Sequence, residues 1–218
     1  MNSPIIQLIV LAGVAIFLIL RLRSVLGTRD GFEQPRERAE QQPNPRREFE
    51  VIEGGPDRDI TDHVEENSDD AKALAAMKKA EPSFGVSDFM QGARGAYEMI
   101  LMAFERGDLG SVKAFLSDDV YAAFAGVVEQ REKDGVTIEA TFIGVADMAI
   151  QEVEFDEVTS EGEISMRFVG ELTSIVRDNA GDVIEGSDTE IKRQRDIWTF
   201  ARKMGANDPN WQLVATSE

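Results

Sequence analysis

The hydrophobic repeat of this chain changes at Gly135, and that change decides the fold class. From residue 89 to that point apolar residues recur every three or four positions; after it they alternate. Upstream, Phe89, Ala93, Ala96, Tyr97, Ile100 and Phe104 share one helical face. Ser87-Asp88 as a cap and Gly107 as a stop predict a helix over Phe89–Arg106. Asp108 opens a short helix, Leu109 to Leu116. Ser117 with Asp118 and Asp119 then puts acid at the start of a third helix, where the macrodipole favours it. Val120, Tyr121, Phe124, Val127 and Val128 are its expected buried face.

Downstream, Thr137–Val145 alternates Ile138, Ala140 and Phe142 against Thr137, Glu139 and Thr141. A second strand is expected over Ala149–Val158, and a third carries Ile164, Met166, Phe168, Gly170 and Leu172 towards Arg177. Asp178 to Asp182 is turn chemistry, and Val183 starts a return broken by a polar excursion, Gly186 to Glu190. The last hairpin pairs Gln194–Met204 with Trp211–Thr216 across a turn rich in Asn, Asp and Pro. Three helices followed by about five antiparallel strands make an α+β domain, its helices on one face of a curved sheet.

That hairpin holds both tryptophans. Asp196, Trp198, Phe200 and Arg202 share one parity, so one strand face runs acid, aromatic, aromatic, base. Phe142, Met166, Phe168, Trp198 and Phe200 are either plain core or the lining of a cavity, and Arg202 and Trp211 extend that candidate partner surface.

The domain is expected to begin near Phe84. Residues 24–83 carry prolines, paired glycines and mixed charges with little to bury, which predicts a flexible linker. Within it Ser68-Asp69-Asp70 caps a short helix near 71–80, read as a transient helix on a tether or a docking helix. At the N-terminus, residues 1–23, an apolar run extends from Ile5 to Leu20 with Leu8, Leu11 and Phe17, interrupted only by Gln7. Its sixteen residues span roughly 24 Å as a helix, against a hydrocarbon core of about 30 Å. Arg21 and Arg23 follow, placed to reach the headgroups. A signal peptide would show a basic start and a small-residue cleavage box, and a core helix a polar face; this run shows neither. A membrane anchor held by lipid is expected, with the rest of the chain on the cytoplasmic side by the positive-inside rule.

The formal charge of -18, most of it beyond Phe84, argues against a nucleic-acid partner. Without cysteine there is no disulfide and no thiolate chemistry. His63, the one histidine, sits in the expected linker. No phosphate loop and no metal-ligand spacing appears, so neither cofactor nor metal is expected. Asp119, Asp196, Tyr97 and Tyr121 are the only candidates for acid–base work, and each has an ordinary structural role available, Asp196 as an ion-pair partner of Arg195 or Lys192. A non-enzyme is expected.

Several blocks resemble the Tim44-like domain family. They are Asp196 to Arg202 with Asp208-Pro-Asn-Trp211, Pro82-Ser-Phe84 with Phe89, Gly92-Ala93 and Tyr97 to Ile100, and then Gly107-Asp108 and Leu116 to Tyr121. Arg21 to Gly27 beside an apolar run is similar to the bacterial form of that family, TimA. The resemblance implies a cone-shaped domain similar to nuclear transport factor 2 on an inner-membrane anchor. It also implies an adaptor role for an unidentified protein partner, since mitochondrial relatives tether a heat-shock chaperone to the protein-import channel. The long chaperone-binding region of those relatives has no counterpart in this sequence. A lipid- or peptide-binding cup, and a small enzyme in the cone cavity, are the competing readings.

Overall fold

The computed structural model describes residues 56–217. The expected anchor, with Ile5, Leu8, Leu11, Phe17, Leu20, Arg21 and Arg23, and the linker up to residue 55 lie outside them. Among the described residues no helix is long and apolar enough to cross a membrane.

Four antiparallel strands form a meander in the order β1-β2-β3-β4. They are β1 (Thr137–Asp156), β2 (Glu161–Arg177), β3 (Val183–Lys203) and β4 (Gln212–Ser217). The two strands expected before residue 158 are the halves of one, β1. It carries three single-residue register shifts against β2, at Phe142/Gly144, Val145/Asp147 and Ile150/Glu152. Each extra residue reverses the parity of the residues beyond it and bends the strand, so alternation breaks where pairing does not. The extra Ile143 is accordingly exposed. The polar excursion sits inside β3: Leu172 pairs with Lys192 and Ser174 with Ser187, so Thr173 alone faces residues 188–191.

The helices are α1 (Arg58–Thr61), α2 (Asp69–Ala80), α3 (Val86–Arg106), a 3-10 helix (Leu109–Phe115) and α4 (Asp118–Lys133). In α2 the Ser68 Oγ accepts the Ala71 N–H at 3.1 Å. This helix is not a transient element on a tether, because Leu74 and Met77 are fully buried in the core. Gly162 makes the seat: a Cβ there would lie 2.6 Å from Met77 Cε. Asp70 adds a bond to the Val153 N–H at 2.8 Å. Burial of two such side chains is worth about 3–6 kcal/mol in transfer free energy.

The α3 helix starts three residues earlier than expected. Ser87-Asp88 is not its cap; the N-cap is Gly85, which offers no side chain. The Asp59 carboxylate supplies the bonds instead, accepting from Val86 N at 2.8 Å and Ser87 N at 2.9 Å. In α4 the expected Ser117 cap is present, with Oγ 3.3 Å from Val120 N. Val127 is 44% exposed: α4 packs on the 3-10 helix and β4 and touches α3 through Phe124 and Arg131, contacts that cover a narrower stripe than the sequence suggests. Leu116 and Leu213 form a parallel bridge, and Ser117 N donates to Leu213 O at 3.0 Å, so β4 ties the helical layer to the sheet.

The core centres on Tyr97 of α3. Its ring stacks on Phe168 at 4.4 Å between centroids and lies 4.7 Å from Trp198 and 6.2 Å from Phe142. Gly170 lets it approach the sheet, since a Cβ there would be 2.5 Å from the Tyr97 hydroxyl. That hydroxyl donates to Asp196 Oδ2 at 2.5 Å, and Gln194 Nε2 donates to Oδ1 at 3.0 Å. These two bonds hold the buried Asp196 side chain against α3 and along β3. Burial first, and then the adjacent carboxylate, push the Tyr97 pKa well above its ordinary value.

Candidate functional site

A mainly apolar groove of about 490 Å³ runs along α3. Its floor and one wall come from α3, where Phe89, Gly92, Ala93, Ala96 and Met99 follow one another at helical spacing. The turn before α3 contributes Glu81, Ser83 and Phe84, and the 3-10 helix contributes Phe115. Opposite stand Phe200 and Arg202 from β3, with Pro209, Asn210 and Trp211 from the turn before β4. A Cβ at Gly92 would meet nothing within 4 Å, so the helix backbone lies open to close approach there. Met99 is 39% exposed along the same wall.

Aromatic rings fix the shape. Trp211 lies 4.7 Å from Phe89, edge to face, and 5.9 Å from Phe84; Phe89 in turn meets Phe200 edge to face at 6.1 Å. Such pairs add about 0.5–1.5 kcal/mol each beyond area burial and hold the rings in place.

At one end the polar groups form a closed knot. The Arg202 guanidinium bonds the Glu81 carboxylate, donates from Nη1 to Pro209 O at 3.1 Å, and sits 5.4 Å from the Trp211 ring centroid. Glu81 Oε2 also accepts the Gly205 N–H at 2.8 Å. Burial pushes the Glu81 pKa up, but the Gly205 bond and the bond and charge of Arg202 outweigh it and hold the carboxyl below its usual range. The knot joins the turn before α3 to the β3–β4 turn and so sets the groove's width.

Of the seven residues nominated from sequence, Phe200, Arg202 and Trp211 line this groove. Met166, Phe168 and Trp198 are buried core, and half-buried Phe142 packs against that core. Parity along β3 puts Trp198 and Arg202 on one face but not at one depth: that face is interior at Trp198 and groove wall at Arg202. The α3 wall was missed. Its signal was a helical apolar stripe that includes Gly92 and Met99, which is wider than the sheet covers.

The chemistry available is recognition of an apolar surface. Among the polar groups lining the groove, Glu81 and Arg202 are committed to each other and Asp88 stands exposed at the rim. The other candidates for acid–base work lie elsewhere. Asp119 is exposed in the first turn of α4, Tyr121 carries the Lys113 ammonium 5.0 Å over its ring, and Tyr97 and Asp196 are bound to each other inside the core.

A family model of the Tim44-like domain matches residues 70–218. The chain belongs to the Tim44-like domain family. The match begins inside α2, whose Leu74 and Met77 are core residues. Among curated proteins, the human mitochondrial import inner membrane translocase subunit TIM44 is 20% identical over 151 residues. That match covers 67% of this chain and 33% of the human protein, so the chain spans about a third of the relative's length. Among solved structures, the intermembrane space region of the chloroplast protein ARC6 gives a TM-score of 0.41 at 9% identity, over 58% of this chain and 93% of that one. The human relative supports the same family.

Proposed function

We propose that this Tim44-like domain is a non-catalytic adaptor whose groove holds an apolar segment of a protein partner at a membrane, in the service of protein translocation or membrane-protein assembly. The observation that carries this reading is the groove itself. It is open, walled by aromatic rings and an exposed stretch of helix backbone, and the half-buried Glu81–Arg202 pair at its end is neutralised internally. Such a surface binds by burying apolar area and positions no nucleophile, general base or metal. The human relative's name, which places it in an import translocase of a mitochondrial inner membrane, supports the translocation setting.

The anchoring half of the proposal rests on the sequence from Ile5 to Leu20, followed by Arg21 and Arg23. The length of the run and the side on which the arginines lie support a single-pass anchor with the domain on the cytoplasmic side; a bacterial inner membrane is what the resemblance of Arg21 to Gly27 to TimA implies.

The test is a photo-crosslinking amino acid placed at Met99 in the full chain in membranes. The expected product is a discrete protein adduct that disappears when Gly92→Trp fills the groove. Adducts to lipid alone would favour a lipid-binding cup instead. An adduct unaffected by Gly92→Trp would remove the groove from the reading.

A further inference from the structure

One side of the groove is held in place by residues that do not line it. The segment Asp57–Val64, which contains α1, crosses the N-terminal end of α3. Asp59 provides the two bonds that Gly85 cannot, to the amides of Val86 and Ser87. Lys78 of α2 clamps the segment from the other side, with Nζ 2.6 Å from Asp57 Oδ2 and 2.8 Å from Asp59 Oδ2. Ile60 is buried beneath, and His63 Nε2 lies 3.2 Å from Ser87 Oγ. Val86 and Ser87 are flanked in sequence by Phe84, Gly85, Asp88 and Phe89, all of which line the groove.

A carboxylate accepting the first amides of a helix is a charge-assisted cap, stronger than the neutral kind. Burial works against the Asp59 anion, but the bonds from Lys78, Ser87 and Val86 more than offset it and hold its pKa far below the ordinary range. The attachment is nevertheless narrow. Ile60 is the one fully buried residue of the segment, Val64 is partly buried, and no strand pairing joins the segment to the sheet. A segment with few buried contacts opens at lower free energy than the core does. It is also the stretch through which residues 1–55 join the domain.

We infer that residues 57–64 are a releasable strap that sets the groove's grip. Docked, the strap fixes the first turn of α3 and with it the Phe84–Phe89 side of the groove; undocked, that side loosens while the sheet stays intact. The inference rests on the groove being the binding surface. Because coupling is reciprocal, an occupied groove favours the docked strap in return.

The chain has no cysteine, which allows a clean test in the full-length protein. Met99→Cys puts a single thiol in the groove, and Asn179→Cys serves as an exposed control. The groove's apolar preference is read as the rate of labelling by N-phenylmaleimide over that by N-methylmaleimide, relative to the control. Asp59→Ala and, separately, Lys78→Met are expected to lower that ratio severalfold. In the same variants, hydrogen exchange at Val86 and Ser87 is expected to quicken about tenfold or more, with Ile164 and Phe168 unchanged. Faster exchange at α3 with an unchanged labelling ratio would reduce the strap to a structural cap and overturn the inference. Equal acceleration at Ile164 and Phe168 would do the same, by showing a global loss of stability. Failure of the groove reading has its own signature: Met99→Cys shows no phenyl preference over Asn179→Cys in the unmodified background, and the strap's role then falls with it.

Discussion

Gly170→Ala is expected to destabilise the domain, although the same exchange at a compatible strand position usually stabilises by about 0.4–1 kcal/mol through the unfolded state. The new Cβ would stand 2.5 Å from the Tyr97 hydroxyl, 2.9 Å from Cε1 and 3.1 Å from Cζ. The ring has no room to retreat, because it is stacked on Phe168 at 4.4 Å and lies against Trp198 at 4.7 Å. Relief therefore requires either a shift that breaks the 2.5 Å bond to Asp196 or a displacement of β2 from α3. Overpacking costs about 1–3 kcal/mol and loss of a hydrogen bond to a carboxylate about 1.5–3. After the unfolded-state gain is subtracted, a net loss of about 3 kcal/mol is expected, a large share of a domain's 5–15. Urea unfolding of the full chain should show a midpoint lower by roughly 1–2 M with unchanged slope. Tyr97→Phe alone should cost about 2 kcal/mol. In that background the closest contact of the new methyl is gone, so the double variant should be less destabilised than the sum by more than about 0.5 kcal/mol. A neutral Gly170→Ala, or an additive cycle, would refute the close approach on which the reasoning stands.

Stability should also fall as pH rises beyond about 10, the ordinary tyrosine value. The folded-state pKa of Tyr97 is raised, so the unfolded chain releases its proton first and the folded state is penalised above that pH; Tyr97→Phe should flatten this limb of a pH–stability curve. Arg202→Met should cost about 1.5–3 kcal/mol, since it removes a charge-assisted bond while Glu81 keeps the Gly205 N–H, and Glu81→Gln with Arg202→Met should cost less than the sum, measured by denaturant midpoint. Because the Glu81 pKa is depressed, its contribution is present above the usual glutamate value and lost as pH falls through the lower folded value, so the acid limb should weaken in Glu81→Gln. A chain starting at residue 84 should lose the cooperative transition, or much of its midpoint, relative to one starting at 56, since it lacks Leu74 and Met77; equal midpoints would return α2 to the linker.

The long helices and the central strand were legible because their burial is one-sided and regular. The alternation from Ile164 to Leu172 carries into the structure. Of the expected α3 face Phe89, Ala93, Tyr97 and Ile100 are buried, whereas Ala96 and Phe104 are half-buried and Leu101, Met102 and Ala103 are buried beside them. What failed was whatever depended on a distant partner. In α2, Leu74 and Met77 looked like too little to bury, since their seat is made by the absence of a side chain at Gly162, more than eighty positions later. The cap of α3 was assigned to local residues because nothing in the sequence ties Asp59 to Val86. β1 was split because its bulges reverse parity at the points where continuity had to be judged. The β3 and Trp211 side of the groove is marked in the sequence by aromatic residues, while its α3 side is built on Gly92 and Ala96, residues that draw no notice until the backbone beside them is seen to be open.

The bridge between Leu116 and Leu213 also bears on when the domain becomes competent. All the helices are synthesised before the first strand, and Leu116 waits for a partner ninety-seven positions downstream. Trp211, which closes the groove against Phe84 and Phe89, belongs to the same late segment. A nascent chain that has made α3 but not residues 211–213 exposes the helix wall with nothing opposite it. The groove is therefore complete only once the chain has been made through residue 213, and the order of synthesis leaves its aromatic wall until last.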